Sequence, residues 1–218
     1  MTSPDLDSFL TEAERWLNQT VLANVDDALE AGEKLVRAAE ALKRTHAKAV
    51  GPLYGRLKGR MGFLNAMERV PWHPLAGGQL CVGHRPSNKK LEALRLQGAT
   101  HILTLLTGGE GALAVEKSVK SSGLQWLWFV MEGGDPLPAS RDIEARKLFE
   151  DMKALLEQGA HIYIHCSAGI HRTGMLTNGF LRFLGHSQSE ANEILAALRQ
   201  ETAEGVGFHR IAWGDRFG

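Results

Sequence analysis

The 218 residues predict an α/β fold, a mostly parallel central sheet flanked by helices, with an all-helical N-terminal extension in front of it. Three features carry that expectation. From residue 79 onward, short apolar runs alternate with amphipathic helical patterns, as they do where strands are joined through crossover helices. Residues 8–69 instead show apolar stripes at helical spacing. Between the two textures, "VPWHPLAGG" (70–78) holds two prolines and two glycines, and the boundary belongs there: residues 1–70 form the extension and 71–218 the second domain.

Taken in order, Phe9, Ala13, Trp16, Leu17, Val21, Val25, Ala28 and Leu29 fall on one stripe of a helix over 8–30. Gly32 reads as a break, after which Leu35, Val36, Ala39 and Leu42 resume the stripe to about Val50. "GP" at 51–52 is a stop-and-turn signal, and Leu53, Leu57, Leu64 and Met67 mark a third helix over 53–69. On that helix Gly55 and Gly59 would let another helix approach closely. Past the boundary, "QLCVG" (79–83) reads as a strand and "SNKKLEALRLQGA" (87–99) as a helix with a serine N-cap and a glycine stop. Strands follow at 101–106, 124–130 and 161–166, and helices at 112–120, 140–158, 173–184 and 187–200.

Lys plus Arg and Asp plus Glu both number 25, so net charge singles out no partner. The balance hides an asymmetry. Residues 1–40 carry nine acids and three bases, whereas residues 41–67 carry six bases (Lys43, Arg44, Lys48, Arg56, Lys58, Arg60) and no acid. The basic 43–60 segment suits an anionic partner, a polyanion or a lipid surface; the plainer alternative is a solvated face that balances the acids beside it. Trp126 and Trp128 lack interleaved basic residues, so no nucleic acid is expected as a partner. Cys81 and Cys166 make no disulfide framework, and the N-terminus has no basic apolar leader. No apolar run nears the roughly 20 residues of a membrane span. A cytoplasmic protein without a transmembrane segment is the expectation.

The chemistry concentrates at 161–175, "HIYIHCSAGIHRTGM". The apolar alternation ends at Cys166, which places the thiol at the carboxyl end of a strand, where open α/β sheets bind their ligands. The loop after it begins with small residues and contains Gly169, free to take a positive φ. "RTGMLTNGFLRFL" then opens a helix. Inward-pointing loop N–H groups and a helix N-terminus together attract an anion. The planar fork of Arg172 matches two oxygens of a phosphoryl group. The same surroundings favour a thiolate on Cys166, and a thiolate beside an oxyanion cradle is a nucleophile aimed at phosphorus. Thr173 is placed to hydrogen-bond the sulfur.

Those residues, "HCSAGIHRTG", resemble the His-Cys, five residues, Arg, Thr signature of the cysteine-dependent protein tyrosine phosphatase superfamily, with its usual Ala-Gly inside the loop. The upstream "LCVGHRPSNKKLEALRLQGATHILTL" is similar to the opening strand, helix and strand of the dual-specificity branch. The resemblance spans 79–200; residues 1–70 match no family. It implies a dual-specificity phosphatase-like sheet, with Cys166 as nucleophile and Arg172 as phosphate clamp. The backbone amides of Ser167, Ala168, Gly169, Ile170, His171 and Arg172 become the cradle, His165 a residue that tunes the thiolate, and Thr173 its hydroxyl partner. No cofactor is implied. His161, His165, Cys166 and His171 match no common zinc spacing, so no metal is expected either.

The family also needs a carboxylic acid on a separate loop to protonate the leaving oxygen. "WLWFVMEGGDPLPAS" (126–140) fills that place, where relatives often read Asp-Gly-x-x-Pro. Aligned on Pro136, Glu132 occupies the acid slot and is preferred; by residue type, Asp135 is the family's choice, and motion of the loop would bring in either one. "TGGEGA" (107–112) lacks the Lys-Ser/Thr of a nucleotide loop and reads as a turn at the site rim, with Glu110 facing Arg172. His171 either touches substrate or is solvated. Cys81 is either a core residue or a disulfide partner for Cys166 under oxidants. No water-positioning glutamine of the kind larger tyrosine phosphatases use is found after residue 200.

The expected activity is hydrolysis of phosphate monoesters through a phosphocysteine, with phosphotyrosine, phosphoserine and phosphothreonine proteins as substrates. Alternatives of the same mechanism act on phosphoinositides, inositol phosphates or an RNA 5′ end. Two further alternatives are a phosphate-binding module without turnover and a sulfurtransferase.

Overall fold

The computed structural model describes residues 5–218. The chain forms two compact units, one of residues up to Arg69 with Leu96–Gly98, the other of Val70–Arg95 with Ala99–Gly218.

The first unit holds α1 (Leu6–Leu17), α2 (Val25–Leu42) and α3 (Ala47–Asn65). The single helix expected over 8–30 is two. Asn18 ends α1, and the Asn24 side chain accepts from the Asp26 and Asp27 N–H groups to start α2. Val21, placed on the stripe by its spacing, lies in the connection and is 58% exposed. Gly32 does not break α2. It is buried where three helices meet, and a Cβ there would collide with Met61 and the Trp16 ring. The close-approach glycine is therefore Gly32; at Gly55 and Gly59 an added Cβ would meet nothing within 4 Å. Pro52 lies inside α3 rather than at its stop. It sits early in the helix, on an exposed position, so it removes only one bond of the ladder at an end where solvent can take the freed carbonyl. Two members of the basic segment fasten α1 to α3. Arg56 pairs in bidentate fashion with Glu14 (2.5 and 3.0 Å), and Arg60 donates to the Leu17 and Gln19 carbonyls while lying over Trp16. Arg44, Lys48 and Lys58 are exposed.

The second unit is built on a five-stranded sheet, β1 (His73–Leu75), β2 (Gly78–Gly83), β3 (His101–Thr104), β4 (Gln125–Trp128) and β5 (His161–His165), in the order β1-β2-β5-β3-β4. Only β1 runs antiparallel. The strand β1 lies in the segment read as the boundary. Ala76 (φ 48°) and Gly77 (φ 90°) make the two-residue hairpin turn that joins it to β2, so the Gly-Gly pair marks a turn rather than a tether. Around the sheet lie α4 (Asn88–Leu96), α5 (Ala112–Ser121), α6 (Asp142–Glu157), α7 (His171–Phe183) and α8 (Gln188–Leu198). The segment after residue 200 folds as α9 (Gln200–Gly205), α10 (Phe208–Ile211) and a terminal 3-10 turn, Ala212–Arg216.

The strand β5 is central, paired in parallel with β2 on one side and β3 on the other. Ile162, Tyr163, Ile164 and His165 are all buried, as expected of a parallel strand covered on both faces. Helix α7 is buried from Arg172 through Leu181. A buried strand feeding a buried helix fixes the loop between them. No helix among the described residues is long and apolar enough to cross a membrane.

Candidate active site

Cys166 follows the last residue of β5 and is 3% exposed. The turn from β5 into α7 is made at Gly169, whose φ is +68°. A Cβ there would run into the Gly83 carbonyl, so both the sign of φ and the close approach to β2 require glycine. Burial pushes the Cys166 thiol up, as it does any group that ionises to an anion. The Thr173 hydroxyl and the N–H groups of Thr173, Gly169 and Ile170 all point to the sulfur and outweigh that cost, holding the thiol below its usual value. The Thr173 hydroxyl itself is wholly buried.

Arg172, in the first turn of α7, is 8% exposed. Its two terminal nitrogens each donate to one Glu110 oxygen at 2.7 Å. Nη1 also reaches the Met131 carbonyl (3.1 Å), and Nη2 reaches Ser167 Oγ (3.4 Å). Glu110 grips the end of the guanidinium, which leaves its Nε side for an anion. The Arg172 guanidinium, opposed by partial burial and aided by the Thr107 N–H, holds the Glu110 carboxyl down to about 2. A carboxylate depressed in the fold stabilises it at pH above its unfolded value, and that contribution fades only as pH falls toward about 2. The pair is thus charged throughout the working range, and the expected contact between Glu110 and Arg172 is present.

His165 is wholly buried, and burial takes its imidazole down to about 4, so the ring is neutral. Nδ1 lies 3.0 Å from the Cys166 carbonyl, which can only accept; Nδ1 therefore carries the proton. Nε2 is then the acceptor for the Thr104 hydroxyl (2.9 Å), and Thr104 in turn accepts from the Trp126 indole (2.8 Å). This chain of bonds fixes the peptide at which the nucleophile begins.

The loop after Cys166 is tied from outside by residues that no sequence pattern singles out. Thr202 donates to the Gly169 carbonyl (2.7 Å), Arg199 to the Ala168 and Gly169 carbonyls (3.2 and 3.1 Å) and to His84 Nε2 (2.8 Å), and the Arg85 N–H to the Ser167 carbonyl (3.1 Å). Carbonyls held outward leave the N–H groups inward, which is what an anion cradle requires. No local signal marks Arg199 or Thr202, and only their place in the fold shows their part. Ser167, Ala168 and His171 are exposed at the mouth, and Ile170 is half-buried.

Glu132 and Asp135 both lie in the exposed part of the loop after β4, and neither is hydrogen-bonded to Cys166 or Arg172. Their loop does reach the site: the Met131 carbonyl touches Arg172, and a Cβ on Gly134 would sit 3.3 Å from His171 Cβ. Cys81 is buried opposite Tyr163, three residues short of Cys166 along the neighbouring strand. That offset is about 10 Å at strand rise, beyond the ~7 Å that a disulfide tolerates, so Cys81 is a core residue here. Trp126 is half-buried and stacks on Trp128, which is 42% exposed at the sheet edge. No three His, Cys, Asp or Glu side chains converge as a metal site among the described residues.

No protein-family model matches this chain, and no curated protein matches it. Solved structures do. PTPMT1 in complex with PI(5)P is 18% identical at a TM-score of 0.56, over 67% of this chain and 93% of that one. Kinase associated phosphatase with its catalytic-site cysteine replaced by serine is 17% identical at 0.54, over 67% and 91%. Tk-PTP in the active form is 16% identical at 0.53, over 66% and 94%.

Proposed function

We propose that this chain, which has the fold of the cysteine-based tyrosine and dual-specificity phosphatases, hydrolyses phosphate monoesters through a phosphocysteine on Cys166. The observation that carries the reading is the thiol held below its usual pKa, at the floor of an N–H cradle, with Arg172 fixed beside it. The thiolate attacks phosphorus in line, forming the S–P bond as the P–O bond to the leaving group breaks. The bonding pair goes to the leaving oxygen, which takes a proton from Glu132. Cradle N–H groups and the Nε side of Arg172 hold the three equatorial oxygens as their charge redistributes. Water then attacks phosphorus, returns the S–P pair to sulfur and gives its proton to the carboxylate. No residue is assigned to place that water.

Glu132 is preferred over Asp135 because it fills the acid slot when the loop is aligned on Pro136, and because it follows the peptide whose carbonyl touches the guanidinium. Glu132→Gln should lower kcat/KM on phenyl phosphate by about 10²-fold or more, with a smaller loss on para-nitrophenyl phosphate, whose leaving group needs no proton. Asp135→Asn should leave both within about threefold. The reverse pattern would transfer the role to Asp135.

Phosphorylated tyrosine, serine and threonine side chains of proteins are the substrates we propose. A second reading, a phosphoinositide, is supported by the PTPMT1 complex with PI(5)P. A panel of phosphopeptides and water-soluble phosphoinositides, ranked by kcat/KM, decides between them.

A further inference from the structure

The loop carrying Glu132 and Asp135 is gripped at four main-chain carbonyls by four arginines. Arg141 Nη2 donates to the Val130 carbonyl (3.0 Å), Arg172 Nη1 to Met131 (3.1 Å), Arg210 Nε to Gly134, and Arg216 Nη1 to Leu137 (2.8 Å). They come from the 3-10 turn before α6, the first turn of α7, α10 and the terminal turn, so the loop is held from all along the second unit. Arg141 is itself fixed by Glu144 (2.5 and 3.0 Å) and by the Phe129 ring, and Arg216 by Asp142 (3.3 Å). Arg210 is fixed by carbonyls at both ends, Gly134 and, at 3.0 Å, Val206.

The glycines are placed for this grip. Gly133 has φ +67°, a left-handed conformation that other residues resist. Gly134 lets the loop close onto its neighbours: a Cβ there would stand 3.3 Å from His171 Cβ and 3.5 Å from Arg210 Nη2. Between Met131 and Gly134 the backbone is therefore nailed at both ends of the segment that contains Glu132, once to the phosphate clamp and once to Arg210.

We infer that Arg210, supported by Arg141 and Arg216, is a positioning residue that holds this loop in its proton-donating place, so that the loop is a fixed wall of the site and not a lid that closes over substrate. The inference rests on the proposed acid role of this loop. Opening it would release four carbonyls and four guanidinium contacts together, with no other acceptor provided for Arg210 Nε.

The test separates position from mere stability. A general acid matters in proportion to how badly the leaving oxygen needs a proton. A displaced acid therefore costs more on phenyl phosphate than on para-nitrophenyl phosphate, whereas a loss of folded protein costs both equally. Arg210→Met, Arg210→Lys and Arg216→Met are compared with wild type on both substrates, with thermal melts alongside. Arg210→Met should raise the ratio of kcat/KM values, para-nitrophenyl over phenyl phosphate, by about tenfold. Arg210→Lys should recover part of that change, since an ammonium can serve one of the two carbonyls. Arg216→Met should shift the ratio in the same direction by less. An unchanged ratio in all three variants overturns the inference. Should Arg210→Met fail to fold, Arg210→Lys and Arg216→Met decide the matter by the same criterion. Glu132→Gln and Asp135→Asn run in the same series. If neither moves the ratio, the acid assignment has failed; if one does and the arginine variants do not, the acid stands and the fixed wall falls.

Discussion

Cys166→Ser should abolish turnover of para-nitrophenyl phosphate, a loss of at least about 10⁴-fold, while leaving phosphate binding in place. The two sulfur and oxygen side chains are nearly the same size, and the cradle is built from backbone and from Thr173, so the site keeps its shape. What goes is the ionised nucleophile: a serine hydroxyl is not deprotonated by N–H groups that suffice for a thiol. The same reasoning fixes a pH dependence. Burial opposes ionisation, but hydrogen bonding from Thr173 and the loop N–H groups outweighs it, so the folded thiol ionises below its ordinary value. Alkylation of Cys166 by iodoacetamide should thus reach half its plateau rate at a lower pH in the native protein than in urea. A native half-point at or above the one in urea would rule out the stabilised thiolate.

Arg172→Lys should cost about 10³-fold in kcat with para-nitrophenyl phosphate. A lysine keeps the charge but has no planar fork. It cannot meet both Glu110 oxygens at 2.7 Å and still present a second pair of donors to phosphate. The loss should exceed that of Glu110→Gln, because Glu110 acts only through Arg172: its carboxyl sits at about 2 chiefly because of that arginine. Glu110→Gln should therefore mostly raise KM and change kcat less. If the lysine variant keeps wild-type kcat, the clamp is not part of the chemistry.

Much of this site is visible in fifteen contiguous residues. Strand, thiol, loop and helix are adjacent in sequence because a strand end and a helix start make the cradle together, so "HIYIHCSAGIHRTGM" shows the nucleophile, the clamp and the glycine that the turn requires. Glu110 is also legible, since a rim loop beside an arginine has few other uses for a carboxylate. The braces are not. Thr202 and Arg199 act on carbonyls 30 or more residues away, and Trp126 reaches His165 through Thr104 only because β3 lies between β4 and β5. The general acid is the least legible part, because the loop keeps the Asp-Gly-x-x-Pro spacing but puts glutamate in the acid slot and an aspartate next to the proline. In the first unit, stripe spacing carried Val21 astray, because periodicity cannot distinguish a helix that continues from one that is capped and restarted, and Asn24 is the cap that does it. Gly32 reads as a break because sequence alone does not separate a glycine that stops a helix from one that lets Met61 and Trp16 pack against it. At β1 a proline- and glycine-rich boundary and a tight hairpin have the same composition, and only the backbone at Ala76 and Gly77 separates them.

The central claim is that phosphate passes through the sulfur of Cys166, and trapping that species tests it most directly. Wild-type protein is mixed with excess para-nitrophenyl phosphate in the presence of EDTA, quenched in acid within the first turnovers, digested and weighed peptide by peptide. The expected result is one added phosphoryl group on the peptide bearing Cys166, absent in Cys166→Ser and lost on return to neutral pH. Steady turnover with no such adduct on Cys166, or turnover that survives in Cys166→Ser, would contradict it.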